Sequence, residues 1–287
     1  MKIQEQAPAK INLALDILGR RTDGYHELRM VMQSVSLCDT VTVEETGTGF
    51  TLLADGFTVP AGKSSLEQQA AEAFFAAVGR PMPPLTVHLE KTTPAYAGLG
   101  GGSADVAALL RCLRRQYAPE MPVEQLRAIG LTVGSDMPFC VSGGTALAEG
   151  RGERLTALPA LPDCWIVLCK PEFGIPTPAL FTLADAGTPK NRPDIDGMIR
   201  ALSAEDLNGV AARLCNVFEE FLPEEYHEVF HIKNRLLELG ALNAAMSGSG
   251  PTVFGIFREK TAAKAAETAL KQCYPQTYLA KPVGELV

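Results

Sequence analysis

The sequence predicts an α+β protein with two domains. The chain has 287 residues, whereas a single domain commonly takes about 100–200. Strand-like and helix-like segments follow one another in a mixed order rather than as regular strand–helix–strand units. A segment with two prolines and no clear periodicity, residues 158–162, separates the two halves. We therefore predict an N-terminal domain over residues 1–158 and a C-terminal domain over residues 159–287.

The N-terminal half begins with a strand-like alternation of apolar and polar residues over residues 9–18. A period of two predicts that Lys10 and Asn12 share one face. The opposite, apolar face is predicted to carry Ile11, Leu13, Leu15 and Ile17. The patterns that follow predict a strand over residues 31–43, a helix over 64–78, a strand over 85–91, a helix ending near 117 and a helix over 123–129.

The C-terminal half begins with a short apolar run, Trp165–Cys169, which predicts a buried strand. Its remaining patterns predict a polar loop over residues 188–193, helices over 204–214 and 224–239, a Gly/Ser turn leading into a strand over 245–257, and a helix over 261–272.

Composition excludes several classes of function. The net charge of −7 argues against broad nucleic-acid binding, which needs a basic surface. No apolar run approaches the ~18 residues of a membrane span, and the first residues lack the apolar segment of a signal peptide. The seven cysteines are odd in number and form no C-x-x-C pair. This cysteine usage is typical of reduced thiols, so we expect a cytoplasmic protein without membrane partners.

The most specific motif is a glycine-rich segment between a predicted strand and a predicted helix. It reads Pro94-Ala95-Tyr96-Ala97-Gly98-Leu99-Gly100-Gly101-Gly102-Ser103-Ala104. Glycine lets backbone N–H groups approach a ligand closely, and a helix N-terminus adds partial positive charge. Ser103 is a favoured N-cap residue type for the helix that follows. The segment therefore predicts a site for a phosphate-bearing ligand, most simply a nucleotide.

Two better-known phosphate motifs are excluded by the spacing. No lysine follows the last glycine, as the P-loop would require. The third glycine of the dinucleotide fingerprint is also missing, because Ser103 or Asp105 stands in its place. The alternative is a flexible turn without a ligand, although four glycines within five positions are entropically costly for an ordinary turn.

The pattern Pro-x-x-x-Gly-Leu-Gly-Gly-Gly-Ser-Ala closely resembles the phosphate loop of the GHMP kinases (galactose, homoserine, mevalonate and phosphomevalonate kinases). The triple glycine resembles the 4-diphosphocytidyl-2-C-methyl-D-erythritol kinases within that superfamily. The resemblance covers residues 7–257 and includes the strings over residues 9–13, 19–28, 134–140, 143–153, 174–181 and 247–254. It implies a two-domain GHMP-kinase-like fold, with ATP binding and catalysis in the first domain and substrate binding in the second.

The resemblance implies direct phosphoryl transfer from ATP to a small alcohol. Asp136 matches the family's general base and would accept the proton of the attacking hydroxyl. Lys10 matches the catalytic lysine, which would keep Asp136 ionised and neutralise charge on the γ-phosphate. The glycine-rich segment would hold ATP, whose phosphates Mg²⁺ would bridge. Ser103 is a candidate Mg²⁺ contact, without a dedicated protein cage, and Lys91 is a candidate contact to the adenine or the phosphates.

The implied acceptor is the 2-hydroxyl of 4-diphosphocytidyl-2-C-methyl-D-erythritol, in the non-mevalonate route to isoprenoids. Tyr25 and Phe181 would stack on the two faces of the cytosine, and His26 would hydrogen-bond its edge. The complete set of predicted substrate contacts is Asn12, Tyr25, His26, Thr177 and Phe181. Ser65 and Gln69 depart from the family pattern near the adenine, so no base contacts are assigned there.

Other functions stay open at this stage. One is another GHMP kinase with a different small alcohol, and another is a catalytically silent nucleotide-binding protein, which the presence of both Lys10 and Asp136 disfavours. The string His227-Glu228-Val229-Phe230-His231 has the zinc-peptidase pattern H-E-x-x-H. Helical spacing places both histidines on the polar face of an amphipathic helix, so we expect no zinc catalysis. We expect a monomer or weak homodimer whose partners are ATP and the small substrate.

Overall fold

Two long strands at the N-terminus form the centre of the larger of two β-sheets. The computed structural model describes residues 2–54 and 64–287. In chain order the strands are β1 (Lys2–Arg20), β2 (His26–Glu44), β3 (Phe50–Ala54), β4 (Leu85–Glu90), β5 (Thr145–Gly150), β6 (Arg154–Ala157), β7 (Trp165–Cys169), β8 (Cys215–Asn216), β9 (Asn243–Met246), β10 (Val253–Phe257) and β11 (Thr277–Ala280).

The first sheet has the order β3-β4-β2-β1-β8, and β5 extends it by pairing with both β2 and β6. The second sheet has the order β11-β7-β10-β9 and is antiparallel. The short strand β8 comes from the C-terminal half but pairs in parallel with β1. The two halves of the chain are therefore joined through the strand that carries Lys10.

Helices cover both sheets. They are α1 (Leu66–Ala77), α2 (Gly101–Tyr117), α3 (Val123–Leu131), α4 (Met137–Ser142), α5 (Thr177–Asp185), α6 (Ile195–Ser203), α7 (Leu207–Ala211), α8 (Glu228–Glu238) and α9 (Lys260–Lys271). The apolar face of α2 buries Leu109, Leu110 and Leu113 completely, which fixes the helix against the first sheet. None of the helices in the described ranges is both long and apolar enough to cross a bilayer.

The strict alternation predicted along β1 is interrupted by a change of register. The pairing with β2 shifts between Asn12 and Ala14, and a one-residue bulge moves every later side chain to the opposite face. Ile11 and Leu13 pack in the hydrophobic cluster that contains Ile166 and Phe254 of the second sheet, whereas Leu15 packs in the cluster that contains α2. The predicted single apolar face was therefore wrong beyond residue 13, and the bulge puts Leu15 on the face of the functional site.

Several predicted elements are confirmed, including the helix at α1 and the strand at β7.

The predicted helix over residues 204–214 was wrong. Glu205 has a positive φ of 53° and interrupts the helix, so only α7 forms there. The preceding helix, α6, was not predicted; its N-cap Asp194 accepts a hydrogen bond from the backbone N–H of Gly197 at 2.9 Å. The helix predicted over residues 224–239 begins as a 3₁₀ turn and continues as α8.

The connection between the two sheets lies between β6 and β7, around the predicted domain boundary at residues 158/159. Segments from beyond this boundary nevertheless pair with the N-terminal half, as β8 does with β1. The C-terminal tail returns to the first half, where Val283 N–H donates to Ser34 O at 2.9 Å and Leu286 N–H donates to Ser142 O at 2.8 Å. The division into two domains at this point stays a prediction.

Candidate active site

A cavity of about 640 Å³ lies where the β1–β2 hairpin, the glycine-rich segment and the C-terminal half meet. It brings together predicted residues that are distant in sequence. The predicted site residues that line it are Lys10, Asn12, Tyr25, His26, Tyr96, Gly98, Gly100, Ser103, Asp136, Thr177 and Phe181.

Other members of the predicted ATP segment do not face this cavity. Within the described part of the chain, the predicted contacts outside its lining are Lys91, Pro94, Ala95, Ala97, Leu99, Gly101, Gly102 and Ala104. The side chains of Ala97, Leu99 and Ala104 are buried in the core, so these residues could contact ATP only through their backbone, and their part in ATP binding stays a prediction. The backbone N–H of Ala104 already donates to Gly100 O at 2.9 Å.

The glycine-rich segment ends in a left-handed residue that starts α2. Gly100 has φ 66° and occupies the N-cap, a conformation that glycine adopts without steric cost. Ser103 was predicted at this N-cap, and the structure corrects it to the first helical turn, where it lines the cavity. The N–H groups of Gly101, Gly102 and Ser103 precede the first intrahelical bond, so they are available to an anion.

The segment is held in place by β1 and by a turn from the C-terminal half. Leu99 O accepts the backbone N–H of Lys10 at 2.9 Å, and Gly98 O accepts the Ser247 hydroxyl at 3.0 Å. A Cβ added to Gly98 would lie 2.2 Å from Ser247 O. This contact leaves no room for any side chain at position 98.

We expect Gly98→Ala to lower the free energy of unfolding by about 2–4 kcal/mol, because overpacking adds to backbone strain. Gly98 has a φ of 73°, a conformation that other residues rarely adopt. Gly102→Ala is the matched control, since a Cβ there meets nothing within 4 Å. Urea unfolding of the two variants measures the difference, and equal stabilities would contradict the close packing at position 98.

Lys10 and Asp136 form the chemical centre of the cavity. Lys10 Nζ lies 3.5 Å from Asp136 Oδ2 and 2.9 Å from Asn12 Oδ1. The lysine side chain is only 6% exposed, whereas that of Asp136 is 34% exposed and reachable by a ligand. Asp136 stands at the N-cap of α4 but makes no side-chain capping bond. Its carboxylate therefore faces Lys10 rather than capping the helix.

The approach of Lys10 depends on a glycine. A Cβ at Gly100 would lie 3.0 Å from Lys10 Cγ and 3.2 Å from Lys10 Cε. Asn12 is buried, and its amide nitrogen lies 3.2 Å from Met30 Sδ. These contacts fix the lysine between the glycine-rich segment and Asn12.

The opposite part of the cavity carries the aromatic residues. His26 stacks on Phe181 with ring centroids 4.4 Å apart and an interplanar angle of 18°, and its Nε2 lies 2.7 Å from Asp185 Oδ1. Tyr25 is 52% exposed, and the guanidinium of Arg151 lies 4.5 Å from its ring centroid. One face of Phe181 is therefore covered by His26, which differs from the open slot that the predicted stacking on cytosine implies.

Sequence reasoning missed several residues of the cavity. They include Leu15, Leu28, Met30, Ser135, Arg151, Ile175, Pro176, Pro178, Gly248, Ser249 and Gly250. The Thr177 and Ser249 hydroxyls lie 2.7 Å apart, so the Gly/Ser turn reaches α5 beside the cavity. The Gly/Ser string was visible in the sequence, but an ordinary tight turn was an equally good interpretation of it.

Lys91 was predicted as an ATP contact, and the structure gives it a different set of partners. Its ammonium group pairs with the buried carboxylates of Asp39 and Asp105. Asp39 Oδ1 also accepts the backbone N–H groups of Thr92 at 2.5 Å and Thr93 at 2.7 Å. Because Asp105 belongs to the first turns of α2, this cluster joins both ends of the glycine-rich segment to β2.

The Asp105 carboxyl is the member of this cluster whose hydrogen bonding is incomplete. Its Oδ1 atom has no hydrogen-bond partner in the described residues. Burial, opposed by the attraction of Lys91, raises the pKa of Asp105 from 3.8 to about 7. The Asp105 carboxyl of the folded chain is therefore mostly protonated below about pH 7 and mostly ionised above it.

We expect Asp105→Asn to gain stability relative to wild type as the pH rises from 5 to 8. A raised pKa in the folded state contributes stability below the ordinary value, and this contribution is lost as pH rises through about 7. Asparagine does not titrate, so the difference in unfolding free energy should change by about 2–3 kcal/mol over this range. Parallel stability–pH curves for the two proteins would contradict the raised pKa.

The residues that depart from the family pattern near the predicted adenine site cap α1. Ser65 Oγ accepts the Gln68 N–H at 3.1 Å, and Gln69 Nε2 donates to Ser64 O at 3.1 Å. These bonds satisfy groups at the start of the helix.

The H-E-x-x-H string does not form a metal site. His227 and His231 are both exposed, as predicted, and Glu228 accepts a hydrogen bond from the Tyr274 hydroxyl. Across residues 2–54 and 64–287, no three His, Cys, Asp or Glu side chains are grouped to hold a metal ion.

Comparison with known proteins shows which family the chain belongs to. Residues 65–144 match the model described as "GHMP kinases N terminal domain", and residues 193–276 match "GHMP kinases C terminal". The chain is 41% identical to the 4-diphosphocytidyl-2-C-methyl-D-erythritol kinase of Moorella thermoacetica, covering 96% of this chain and 97% of that protein. It belongs to the 4-diphosphocytidyl-2-C-methyl-D-erythritol kinase family. The expectations of a GHMP-type α+β fold and of a kinase are thereby confirmed.

Further relatives agree with this family. The kinase of the same description from Bacillus pumilus is 38% identical, covering 99% of this chain and 98% of that protein. A crystal structure of a 4-(cytidine 5'-diphospho)-2C-methyl-D-erythritol kinase superposes with a TM-score of 0.82 at 32% identity, covering 98% of this chain and 100% of that one. Homoserine kinase from Cytophaga hutchinsonii superposes with a TM-score of 0.75 at 17% identity, over 99% of this chain and 95% of that one, which shows a shared fold.

Proposed function

We propose that this protein transfers the γ-phosphoryl group of ATP to the 2-hydroxyl of 4-diphosphocytidyl-2-C-methyl-D-erythritol, a step of non-mevalonate isoprenoid biosynthesis. The observation that carries the proposal is the Lys10–Asp136 pair, with 3.5 Å between Nζ and Oδ2. The pair shares one cavity with the glycine-rich segment and with Tyr25 and His26. The predicted site for the donor phosphates, the Lys10–Asp136 pair and an aromatic surface therefore line the same cavity.

The residues divide the reaction between them. Asp136 accepts the proton of the attacking hydroxyl, and Lys10 compensates the negative charge that develops on the transferred group. The free N–H groups at the start of α2 hold the phosphates of ATP. Positioning and charge stabilisation supply most of the catalysis in phosphoryl transfer, so this chain need not form a covalent intermediate.

The metal ion expected with ATP fits the donor set of the cavity. Mg²⁺ binds oxygen atoms and commonly takes most of its ligands from phosphates and water. Ser103 brings a hydroxyl to the cavity at the N-terminus of α2 and would be the protein contact. Bound there, Mg²⁺ would neutralise charge on the transferred phosphoryl group. The other steps rest on Lys10, Asp136 and the backbone N–H groups.

The substrate assignment is supported by the family and by the aromatic part of the cavity. Tyr25 offers an exposed ring face for a pyrimidine, and His26 brings a polar ring atom beside it. Asn12 and Thr177 add polar groups to the cavity wall. Because His26 covers one face of Phe181, a base would stack on that ring either at its other face or after displacing the histidine ring.

A substrate panel tests the proposal. Purified protein with Mg-ATP is given the cytidylyl substrate, mevalonate, homoserine or galactose, and ADP release is followed. We expect ADP to form with the cytidylyl substrate and not with the other three. Turnover of another alcohol alone would identify a different GHMP kinase. ATP binding without turnover of any alcohol would identify a silent nucleotide-binding protein.

We also propose that the enzyme acts in the cytoplasm as a monomer or weak homodimer. All seven cysteines are free thiols, which suits a reducing compartment. Residues 1–158 would form the ATP-binding and catalytic domain, and residues 159–287 the substrate domain, although Tyr25 and His26 come from the first. Sedimentation over a range of protein concentrations tests the oligomeric state.

A further inference from the structure

Arg151 is a basic residue of the cavity that the proposed chemistry does not use. It stands in the turn between β5 and β6, within the string Gly150-Arg151-Gly152-Glu153. Glu153 Oε2 accepts the backbone N–H of Arg151 at 2.6 Å. Gly150 and Gly152 have positive φ values of 73° and 110°. The turn is thus fixed by its own residues and presents the arginine at a defined place.

The arginine lies against the nucleoside part of the cavity. Its guanidinium is 4.5 Å from the Tyr25 ring centroid, which is the geometry of a cation–π contact. The Tyr25 backbone is fixed as well, because its N–H donates to Asp23 Oδ1 at 3.1 Å and its carbonyl accepts the Arg21 N–H at 2.8 Å. The guanidinium occupies one face of the tyrosine ring and leaves the opposite face for a planar base.

The guanidinium keeps its hydrogen-bonding capacity. A cation–π contact uses the charge of the group, and the guanidinium still carries five N–H donors. Within residues 2–54 and 64–287, no carboxylate lies within 4.0 Å of the Arg151 guanidinium nitrogens. Asp23 is the acid whose charge Arg151 influences. Desolvation raises the pKa of Asp23, but hydrogen bonds from Tyr25 and Arg21 outweigh it and lower the pKa. The positive charges of Arg21 and Arg151 lower this pKa further.

No basic residue of the cavity has yet been assigned to the diphosphate of the acceptor substrate. Its described basic lining residues are Lys10, His26 and Arg151. Lys10 is engaged with Asp136, and His26 Nε2 contacts Asp185. The acceptor of the proposed function carries a diphosphate between its nucleoside and its sugar alcohol, and the chain as a whole has a net charge of −7. Charge-assisted hydrogen bonds from a local cation would hold such a diphosphate more strongly than neutral donors.

We infer that Arg151 binds the diphosphate of the acceptor substrate and so selects nucleoside-diphosphate-linked alcohols over free ones. The inference rests on the proposed function and assigns a residue to recognition within that same site. Arg151 keeps its contact with the Tyr25 ring while its N–H groups donate to the diphosphate, so one side chain couples base binding to phosphate binding. Arginine suits this double contact better than lysine, whose ammonium lacks a planar face.

Binding without turnover tests this assignment. Calorimetry measures the dissociation constants of cytidine and cytidine diphosphate with wild type, Arg151→Met, Arg151→Lys and Arg154→Met. Arg154 is the matched control, because it lies in the same hairpin, is 60% exposed and pairs with Glu27 at 2.8 Å. We expect wild type to prefer cytidine diphosphate over cytidine. Arg151→Met should lose roughly 10- to 100-fold of this preference, the range for a lost charge-assisted hydrogen bond.

The remaining outcomes separate the alternatives. Cytidine binding should change by less than about threefold in Arg151→Met, Arg151→Lys should regain part of the preference, and Arg154→Met should keep all of it. An unchanged preference in Arg151→Met, or no preference in wild type, would overturn the inference. Equal loss of cytidine and cytidine diphosphate would show that Arg151 only supports Tyr25. Failure of the proposed function differs from all of these, because wild type would then fail to phosphorylate the cytidylyl substrate in the panel.

Discussion

Asp136→Asn is expected to lower kcat by about 10²–10⁴-fold, the contribution that a positioned general base commonly makes. The variant keeps the shape of the side chain but cannot take up the proton of the attacking hydroxyl. The affinity for ATP should stay within about threefold of wild type, because the phosphates are held by backbone groups of the glycine-rich segment. Steady-state kinetics with the cytidylyl substrate and equilibrium binding of ATP measure the two effects separately.

Asp163→Asn is a suitable control for the loss of one carboxylate. Asp163 is 83% exposed and pairs with Lys281 at 3.0 Å, outside the cavity. This variant should retain kcat. Full activity of Asp136→Asn would remove Asp136 as the base and leave the Lys10 pair without a catalytic explanation.

Lys91→Met should be the most destabilising of the substitutions considered, with a loss of about 3–5 kcal/mol in unfolding free energy. Above the pKa of Asp105, which is about 7, removing the ammonium leaves two carboxylates facing each other in the core. The Asp39 side chain is 0% exposed and that of Asp105 is 3% exposed. Chemical unfolding at about pH 8 measures the loss. It should shrink at low pH, where the carboxyls can be protonated.

A surface ion pair supplies the comparison. Lys264 pairs with Glu267 on α9, and its side chain is 61% exposed. Lys264→Met should therefore cost no more than about 1 kcal/mol. Combining Lys91→Met with Asp105→Asn should recover part of the loss, because one of the two facing charges is removed. A double variant that is no more stable than Lys91→Met would contradict like-charge repulsion as the cause.

The segment that carries the phosphate site was predictable because local pattern determines it. Four glycines before an apolar helical pattern predict close backbone approach at a helix N-terminus, and α2 begins there. Lys10 and Asp136 were predictable only through the family motifs around them. Their 3.5 Å contact joins residues far apart in sequence, which no local periodicity describes.

The corrections arise where tertiary contacts override local preference. Ser103 is a good capping residue type, but Gly100 adopts the left-handed conformation and takes the N-cap, so α2 begins three residues earlier than predicted. The register shift after Asn12 cannot be derived from alternation, because a bulge depends on the partner strand. The pairing of Lys91 with the buried carboxylates of Asp39 and Asp105 also needed the fold, and its contact with ATP stays a prediction. Arg151 likewise needed the fold to bring it onto Tyr25.

Phosphorus NMR of the completed reaction with ATP and the cytidylyl substrate tests the central claim most directly. Direct transfer to the 2-hydroxyl predicts one new phosphomonoester signal beside an intact diphosphate. Because carbon 2 carries a methyl group and no hydrogen, this signal should show no three-bond coupling to a carbinol proton. A phosphomonoester split by such protons, or ADP formation without a new phosphomonoester, would contradict the account.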